Sequence, residues 1–238
     1  MKYFFILFLL FSPLLGADYI IGEDPTFYPY NFEEKTAAVT GYLEALIQEI
    51  SQKEKIEIEL IQIGSLSLLN FVSNKELDGA LTTLSSSHEN RDAYDFSTPL
   101  LKLGPLLVVR KNSKVSNLGQ LKGKIVGISP FDNSVFIVQK YPSIMMRPFT
   151  TYPTALRSLM KGEIDGVLLP ALGAHALVNS FQFGGALKIV TSPLNEEGIR
   201  LLSRKENAED LITPFNRALK LFNKNGFQKN LQQEFEIF

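Results

Sequence analysis

Two hydrophobic periods take turns along this chain, and that alternation limits the folds open to it more than any single motif does. Between residues 41 and 53 the apolar side chains of Tyr42, Ala45, Leu46 and Ile50 fall at i, i+3, i+4 and i+8, which is one face of a helix. Directly after it, Ile56, Ile58 and Leu60 alternate with Glu57 and Glu59, the period of a strand. Upstream, residues 19–22 read as a strand that Glu23, Asp24 and Pro25 stop. Downstream, residues 66–72 read as a helix and 77–84 as a strand. The order β, α, β, α, β calls for a mostly parallel sheet with helices on its faces, and in open sheets of that kind ligands sit beyond the carboxyl ends of the strands.

The pattern then restarts. Residues 106–110 form a strand candidate, and the segment 123–128 opens a second unit whose loop, Ser129 to Ser134, leads into a helix from Val135. A helix over 154–160 buries Leu156, Leu159 and Met160, stops at Gly162 and feeds a strand over 164–169. Near the C terminus Thr213 is placed to cap, Pro214 suits a first turn, and Phe215, Ala218, Leu219 and Phe222 make one stripe ended by Asn225 and Gly226. Phe227, Leu231 and Phe235 continue as a second amphipathic stretch. Four aromatics, Phe27, Tyr28, Tyr30 and Phe32, crowd the loop after the first strand, where they either cap the core or wall a ligand site.

Composition closes off several function classes. At 238 residues, 45% hydrophobic and 21% charged, the chain is globular, and 24 basic against 25 acidic residues leave no positive field to gather nucleic acid. Lys2, an apolar run over 3–15, and then Gly16 and Ala17 read as a cleavable secretory signal, residues 1–17. A run of roughly 13 residues is too short to cross a hydrocarbon core that needs about 20. There is no cysteine, which removes disulfides, thiolate chemistry and the lipid anchor that a cysteine at the cleavage point would carry. The expectation is a monomeric periplasmic protein without a cofactor or metal.

Six stretches in order carry a family resemblance: Tyr28-Pro29-Tyr30-Asn31-Phe32, Gly41-Tyr42-Leu43-Glu44, Asp95-Phe96-Ser97, Leu121-Lys122-Gly123-Lys124, Gly162-Glu163-Ile164-Asp165, and Phe215-Asn216-Arg217-Ala218-Leu219 running on to Asn225-Gly226. With them the chain resembles the type II periplasmic solute-binding proteins of ABC importers, in the polar amino-acid-binding group that includes glutamine-binding proteins. The resemblance implies a two-lobed α/β fold with two small mixed sheets, flanking helices and two crossovers. Lobe one would take residues 18–101 and 197–238, and lobe two 102–196, with hinge strands near 100–104 and 193–197. A small polar solute held between the lobes would stabilise the closed form, which the importer's membrane subunits read.

The same resemblance supplies candidate ligand contacts. Asp24 and Phe27 match the polar and aromatic residues of the first loop, with Phe27 stacking on the ligand. Thr83 stands where a backbone carbonyl accepts from the ligand's ammonium group, and Ser85 keeps a hydroxyl. Asn90 stands at the ungapped position of the family's carboxylate-binding arginine, and Arg91 takes that position after a one-residue slip. Arginine suits the task because its planar fork binds a carboxylate through two parallel bonds. The family's acidic ammonium partner is replaced by Pro170, so Asp132 is the substitute carboxylate, with Asn133 and Ser134 as donors beside it. Ser65 falls where some members carry a second aromatic clamp.

Two rival readings remain open at this point. A cleft enzyme of the cyclohexadienyl dehydratase type would draw a general acid from His88, Glu89, Asp132 or Glu163. No paired carboxylate or nucleophile motif accompanies them, and His88 and His175 stand at unrelated sites. A receptor handing its ligand to a membrane sensor would look the same in sequence.

Overall fold

The structure, a computed structural model, describes residues 17–27, 32 and 35–238. Apart from Ala17, the expected signal segment lies outside the described residues, as do Tyr28, Tyr30 and Asn31.

Two mixed sheets with flanking helices make up the fold. The first holds β1 (Tyr19–Glu23), β2 (Ile58–Gln62), β3 (Gly79–Thr82), β4 (Tyr94–Phe96) and β5 (Leu101–Lys102). The second holds β6 (Pro105–Arg110), β7 (Ile125–Ile128), β8 (Met145–Pro148), β9 (Gly166–Pro170) and β10 (Leu187–Ile189), after which β11 (Gly198–Arg204) returns to the first. Strand orders are β2-β1-β3-β11-β4, with β5 also on β11, and β10-β6-β9-β7-β8. β1 runs parallel to β2 and β3, and β7 parallel to β8 and β9. β11 and β6 each lie antiparallel beside their parallel trio.

Both faces of each sheet are covered, which is why several strands read as unbroken apolar runs. On β6, Leu106 and Val108 point to one core while Leu107 and Val109 point to another. The first sheet's main core takes α1 (Thr36–Glu54), which buries Val39, Tyr42, Leu43, Leu46, Ile47 and Ile50. Its other face takes α2 (Ser65–Ser73) through Leu68 and Val72. The second sheet is covered by α3 (Ser134–Val138) on one side, and by α4 (Tyr152–Lys161) and α5 (Ala171–Asn179) on the other. α6 (Thr213–Lys224) and α7 (Phe227–Glu234) return to the main core of the first sheet.

Several sequence expectations shift in detail. The helix expected over 41–53 begins at Thr36, because Gly41 sits inside it rather than before it, and a Cβ there would meet the Phe235 ring at 2.8 Å. Thr213 does not cap α6: the chain is already helical through a π turn at Ala208–Ile212, so the backbone N–H groups a cap would serve are within a helix. Pro214 does occupy the first turn, and Gly226 follows the helix at φ +79°. The strand expected over 164–169 begins at Gly166, since Asp165 takes the Ile125 N–H on its carboxylate at 3.1 Å. Helix α5 had no counterpart in the periodicity reading.

The chain crosses between sheets twice, from Lys102 to Pro105 and from Ile189 back to Gly198. The two crossings run side by side: the Leu103 N–H donates to the Glu197 carbonyl at 2.8 Å, and that of Leu100 to Ile199 at 2.8 Å. Such closeness excludes side chains. A Cβ on Gly104 would stand 2.0 Å from Asn195 Oδ1, and one on Gly198, at φ +154°, would stand 1.9 Å from the Leu101 carbonyl oxygen. A buried polar knot braces the first crossing, where the Tyr42 hydroxyl donates to the Leu100 carbonyl at 2.7 Å and accepts from Gln228 Nε2 at 3.1 Å. Burial pushes the Tyr42 hydroxyl up to about 12.

Gly198→Ala is expected to lower unfolding free energy by about 2–3 kcal/mol, since a methyl group has no room and the backbone angle is strained for it. Urea denaturation measures this, and a loss below the error would mean the crossings are looser than drawn. Tyr42 gives a pH signature. Its raised value makes the folded chain hold a proton that the unfolded chain releases, so stability present below pH 10.0 is lost as pH climbs toward about 12. Tyr42→Phe is expected to flatten that alkaline slope while costing about 1–2 kcal/mol at neutral pH. Identical slopes in both proteins would reject the assignment.

Candidate ligand-binding site

Because β1 and β3 are parallel, with Glu23 paired to Leu81, the residues that follow them, Asp24 and Thr82, emerge together at the carboxyl edge of the sheet. There Asp24, Phe27, Thr82, Thr83 and Leu84 meet Leu66, Leu68 and Leu69 of α2 around a hollow of about 250 Å³. The Asp24 carboxylate folds back to accept from the Thr26 N–H at 3.0 Å and the Thr26 hydroxyl at 2.8 Å. The turn this closes holds Phe27 at φ +44°, a conformation that costs a side-chain-bearing residue about 1–3 kcal/mol. Phe27 is 3% exposed and tilts against Phe32 with ring centroids 5.9 Å apart. Of the two roles open to these aromatics, Phe27 fills both: it packs into the core and also lines the hollow.

The loop after β3 treats its candidates differently. Asn90 Oδ1 accepts from the Ser87 N–H at 2.8 Å, and its Nδ2 donates to the Ser85 carbonyl at 3.0 Å, so Asn90 staples its own loop. Arg91 is exposed and makes no side-chain ion pair among the described residues. Ser85 is also exposed and, like Arg91, stands off the lining of the hollow. Sequence reasoning passed over another cation, Arg200, which sits on β11 opposite Thr82 at 9% exposure and donates to the carbonyls of Ser97 and Glu196. The signal was available: an arginine inside the apolar run Ile199 to Leu202 needs a polar neighbour.

On the second sheet, the loop after β7 carries Asp132 and Asn133. Asp132 accepts from the Ser134 N–H at 2.8 Å and the Tyr152 hydroxyl at 3.0 Å, joining the start of α3 to α4. Burial first and the Asp132 charge second push the Tyr152 hydroxyl well above its ordinary value. Asn133 donates through Nδ2 to the Glu197 carboxylate, tying this loop to the returning crossing. Ser134 Oγ is buried with no hydrogen-bond partner among the described residues. Pro170 ends β9 opposite Pro105, and α5 begins at the next residue. The side chain of Ser65 lies outside the described residues.

Asp24, Phe27 and Thr83 therefore share one hollow, while Ser85, Asn90 and Arg91 form the loop beside it and Asp132 and Asn133 belong to the other sheet. Beside Asp24, Glu23 is 1% exposed, and burial followed by the Glu44 charge pushes its carboxyl up while a bond to Gln62 pulls it down. Two wider hollows, of about 720 Å³ between α1 and β2 and about 710 Å³ between α5 and the C-terminal tail, contain none of the expected contacts. Burial lowers the His175 imidazole in the second of these, where the ring lies 4.9 Å from that of Phe238. Among the described residues no group of three or more His, Asp or Glu could hold a metal ion, and no helix is long and apolar enough to cross a membrane.

The sequence profile of the bacterial extracellular solute-binding proteins, family 3, matches residues 19–236. This chain belongs to that family. The solute-binding protein is 27% identical over 218 residues to the L-cystine-binding protein TcyJ of Escherichia coli K12, covering 90% of this chain and 81% of that one. It is 21% identical to a probable histidine-binding protein of Campylobacter jejuni over 91% of this chain and 84% of that one. Its fold matches the unliganded open L-cystine solute receptor of Neisseria gonorrhoeae with a TM-score of 0.67 at 19% identity, covering 91% of each chain. A second substrate-binding domain of a putative amino acid ABC transporter from Streptococcus pneumoniae matches at 0.62 and 23%, covering 91% of this chain and 99% of that one. Binding proteins, not enzymes, are what these relatives are named as.

Asp132→Ala is expected to cost about 1–2 kcal/mol, because it removes the turn at the start of α3 and takes the carboxylate acceptor from the half-buried Tyr152 hydroxyl, leaving that hydroxyl its bond with Ser129. Urea denaturation at neutral pH checks this, and an unchanged midpoint would return Asp132 to the list of side chains free to meet a ligand.

Proposed function

We propose that this solute-binding protein captures a free amino acid between two lobes, residues 18–101 with 197–238 and residues 102–196, and delivers it unchanged to the membrane subunits of an ABC importer. The observation that carries this is the shared hollow of Asp24, Phe27 and Thr83 at the carboxyl edge of β1 and β3, in a chain of this family. The names of the relatives, binding proteins for cystine, histidine and arginine, support the solute class. On this reading residues 1–17 are removed on export, and the mature chain works as a free monomer in the periplasm.

Asp24 replaces the acid that Pro170 cannot supply. It is 7% exposed, its bonds come from neutral Thr26 groups, and among the described residues no cation stands within ion-pair distance. An ammonium group arriving there meets a carboxylate with lone pairs to spare. Arg91, on the loop beside the hollow, takes the ligand's carboxylate, with Ser85 near it. Lobe two closes over the ligand with the Asp132–Asn133 loop, and the paired crossings act as the hinge. The ligand favours the closed form by the contacts it makes only there.

Calorimetry of ligand-stripped mature protein against the twenty amino acids tests the reading. At least one is expected to bind, and Arg91→Ala is expected to weaken it at least about tenfold, near 1.4 kcal/mol, without altering the melting of the empty protein. Equal affinity would take Arg91 out of the site, and silence from every amino acid would end the proposal.

A further inference from the structure

We propose that the contact between His175 and Phe238 is a latch that favours the open arrangement of the two lobes, so that affinity for the ligand is set partly by residues outside the ligand site. The inference rests on the reading that the lobes close over an amino acid, and adds what closure must first undo.

The contact joins the two sheets at a place other than the crossings. His175 stands on α5, which follows β9 without a break and covers the second sheet. Phe238 ends the tail beyond α7, which packs on the core of the first sheet. The two ring centroids lie 4.9 Å apart, with an interplanar angle of 36°. The tail is fastened to the first sheet: Ile237 is 1% exposed within the main core, its N–H donates to the Gln232 carbonyl at 2.9 Å, and Lys35 Nζ donates to the Glu236 carbonyl. The imidazole belongs to the other body. The Ala171 N–H donates to the Leu103 carbonyl at 3.2 Å, so α5 starts at the first crossing, and His175 stands about 6 Å along the helix from there. A swing of the second sheet about the crossings therefore moves His175 against a tail that stays with the first. Beside the contact, the small residues Gly173 and Ala176 of α5 line the hollow of about 710 Å³, which gives that movement room.

The arrangement in which this contact is made is an open one. Among the described residues, every side chain lining the hollow of Asp24 and Phe27 belongs to the first sheet, to its loops or to α2, and none to the second sheet. At the carboxyl edge of the second sheet, Phe131 in the loop after β7 is 80% exposed and Phe136 on α3 is 63% exposed. Lobes closed over a ligand would cover side chains of both sheets, so the His175–Phe238 pair is formed on the open side of the equilibrium. A pair of packed rings contributes enough to shift such an equilibrium about two- to tenfold. Its loss raises the fraction of closed, binding-competent molecules, and with it the apparent affinity, while no group that touches the ligand changes.

The chain has no cysteine, so spin labels on two introduced cysteines report the separation of the lobes. Ser67→Cys and Thr150→Cys place them at exposed positions beyond the carboxyl ends of β2 and β8. In ligand-stripped mature protein carrying this pair, Phe238→Ala is expected to raise the short-distance population at least about twofold. His175→Ala is expected to do the same, the two together to add little because they remove one contact, and Phe238→Tyr to keep the parent distribution. Where Phe238→Ala lowers the urea midpoint, His175→Ala decides. Distributions unchanged by the alanine variants, or shifted toward longer distances, overturn the latch and leave amino-acid capture standing. Saturation with whichever of the twenty amino acids calorimetry finds to bind is expected to move the parent protein toward the same short distances. A bound amino acid that leaves the distance unchanged overturns lobe closure and the latch with it.

Discussion

The two chain crossings lie so close that a Cβ at Gly198 has no room beside the backbone of the other crossing. Leu103 bonds to Glu197 across the pair, Gly104 abuts Asn195, and Gly198 abuts the Leu101 carbonyl. Everything that distinguishes the two sheets depends on this contact, because it sets where one parallel trio ends and the next begins. Tyr42, Leu100 and Gln228 fasten α1 and α7 to the start of the first crossing through buried hydrogen bonds. The Asn133–Glu197 bond fastens the loop of the second sheet to the return. The two sheets are therefore joined through a short paired segment with polar anchors on both sides.

The hollow at the edge of the first sheet shows how a small site is assembled from ordinary folding constraints. Parallel pairing brings Asp24 and Thr82 out side by side, and the turn that Asp24 closes on Thr26 brings Phe27 round at a strained backbone angle. Strain of that kind persists where surrounding packing over-determines it, and here the Phe27 ring is packed against Phe32. The hollow's Asp24 and Thr82 bond within their own loops, and most of the remaining lining is leucine and phenylalanine.

The sequence made the β-α-β-α-β order and the second unit legible because period 2 and period 3.6 are local properties. It also marked the ends of α4 and α6, where Gly162 and Gly226 adopt the left-handed backbone that few other residues reach. Helix α5 was missed because Ala171 to Asn179 is apolar on too many sides to show a face, and Thr213 was misread because a cap signature says nothing of a π turn preceding it. Among the candidate contacts that the family pattern suggests, Asp24, Phe27 and Thr83 line one hollow. Asn90 and Arg91 could not be ranked, since which of two adjacent side chains turns inward depends on loop bonds made with Ser85 and Ser87.

The sequence alone determined that this chain is an α/β protein with two runs of one pattern, no thiol chemistry and no basic field, because composition and period are fixed before any long-range contact forms. Only the tertiary structure decided what each carboxylate holds. Asp24 closes on its near neighbour Thr26, while Asp132 accepts from Ser134 and also from Tyr152, 20 positions away in sequence, which joins α3 to α4. It also decided that Arg200, 118 positions from its strand partner Thr82, stands near the site edge while Arg91 faces water. Charge in a sequence is a count, whereas charge in a fold is a distance to the nearest partner and to solvent.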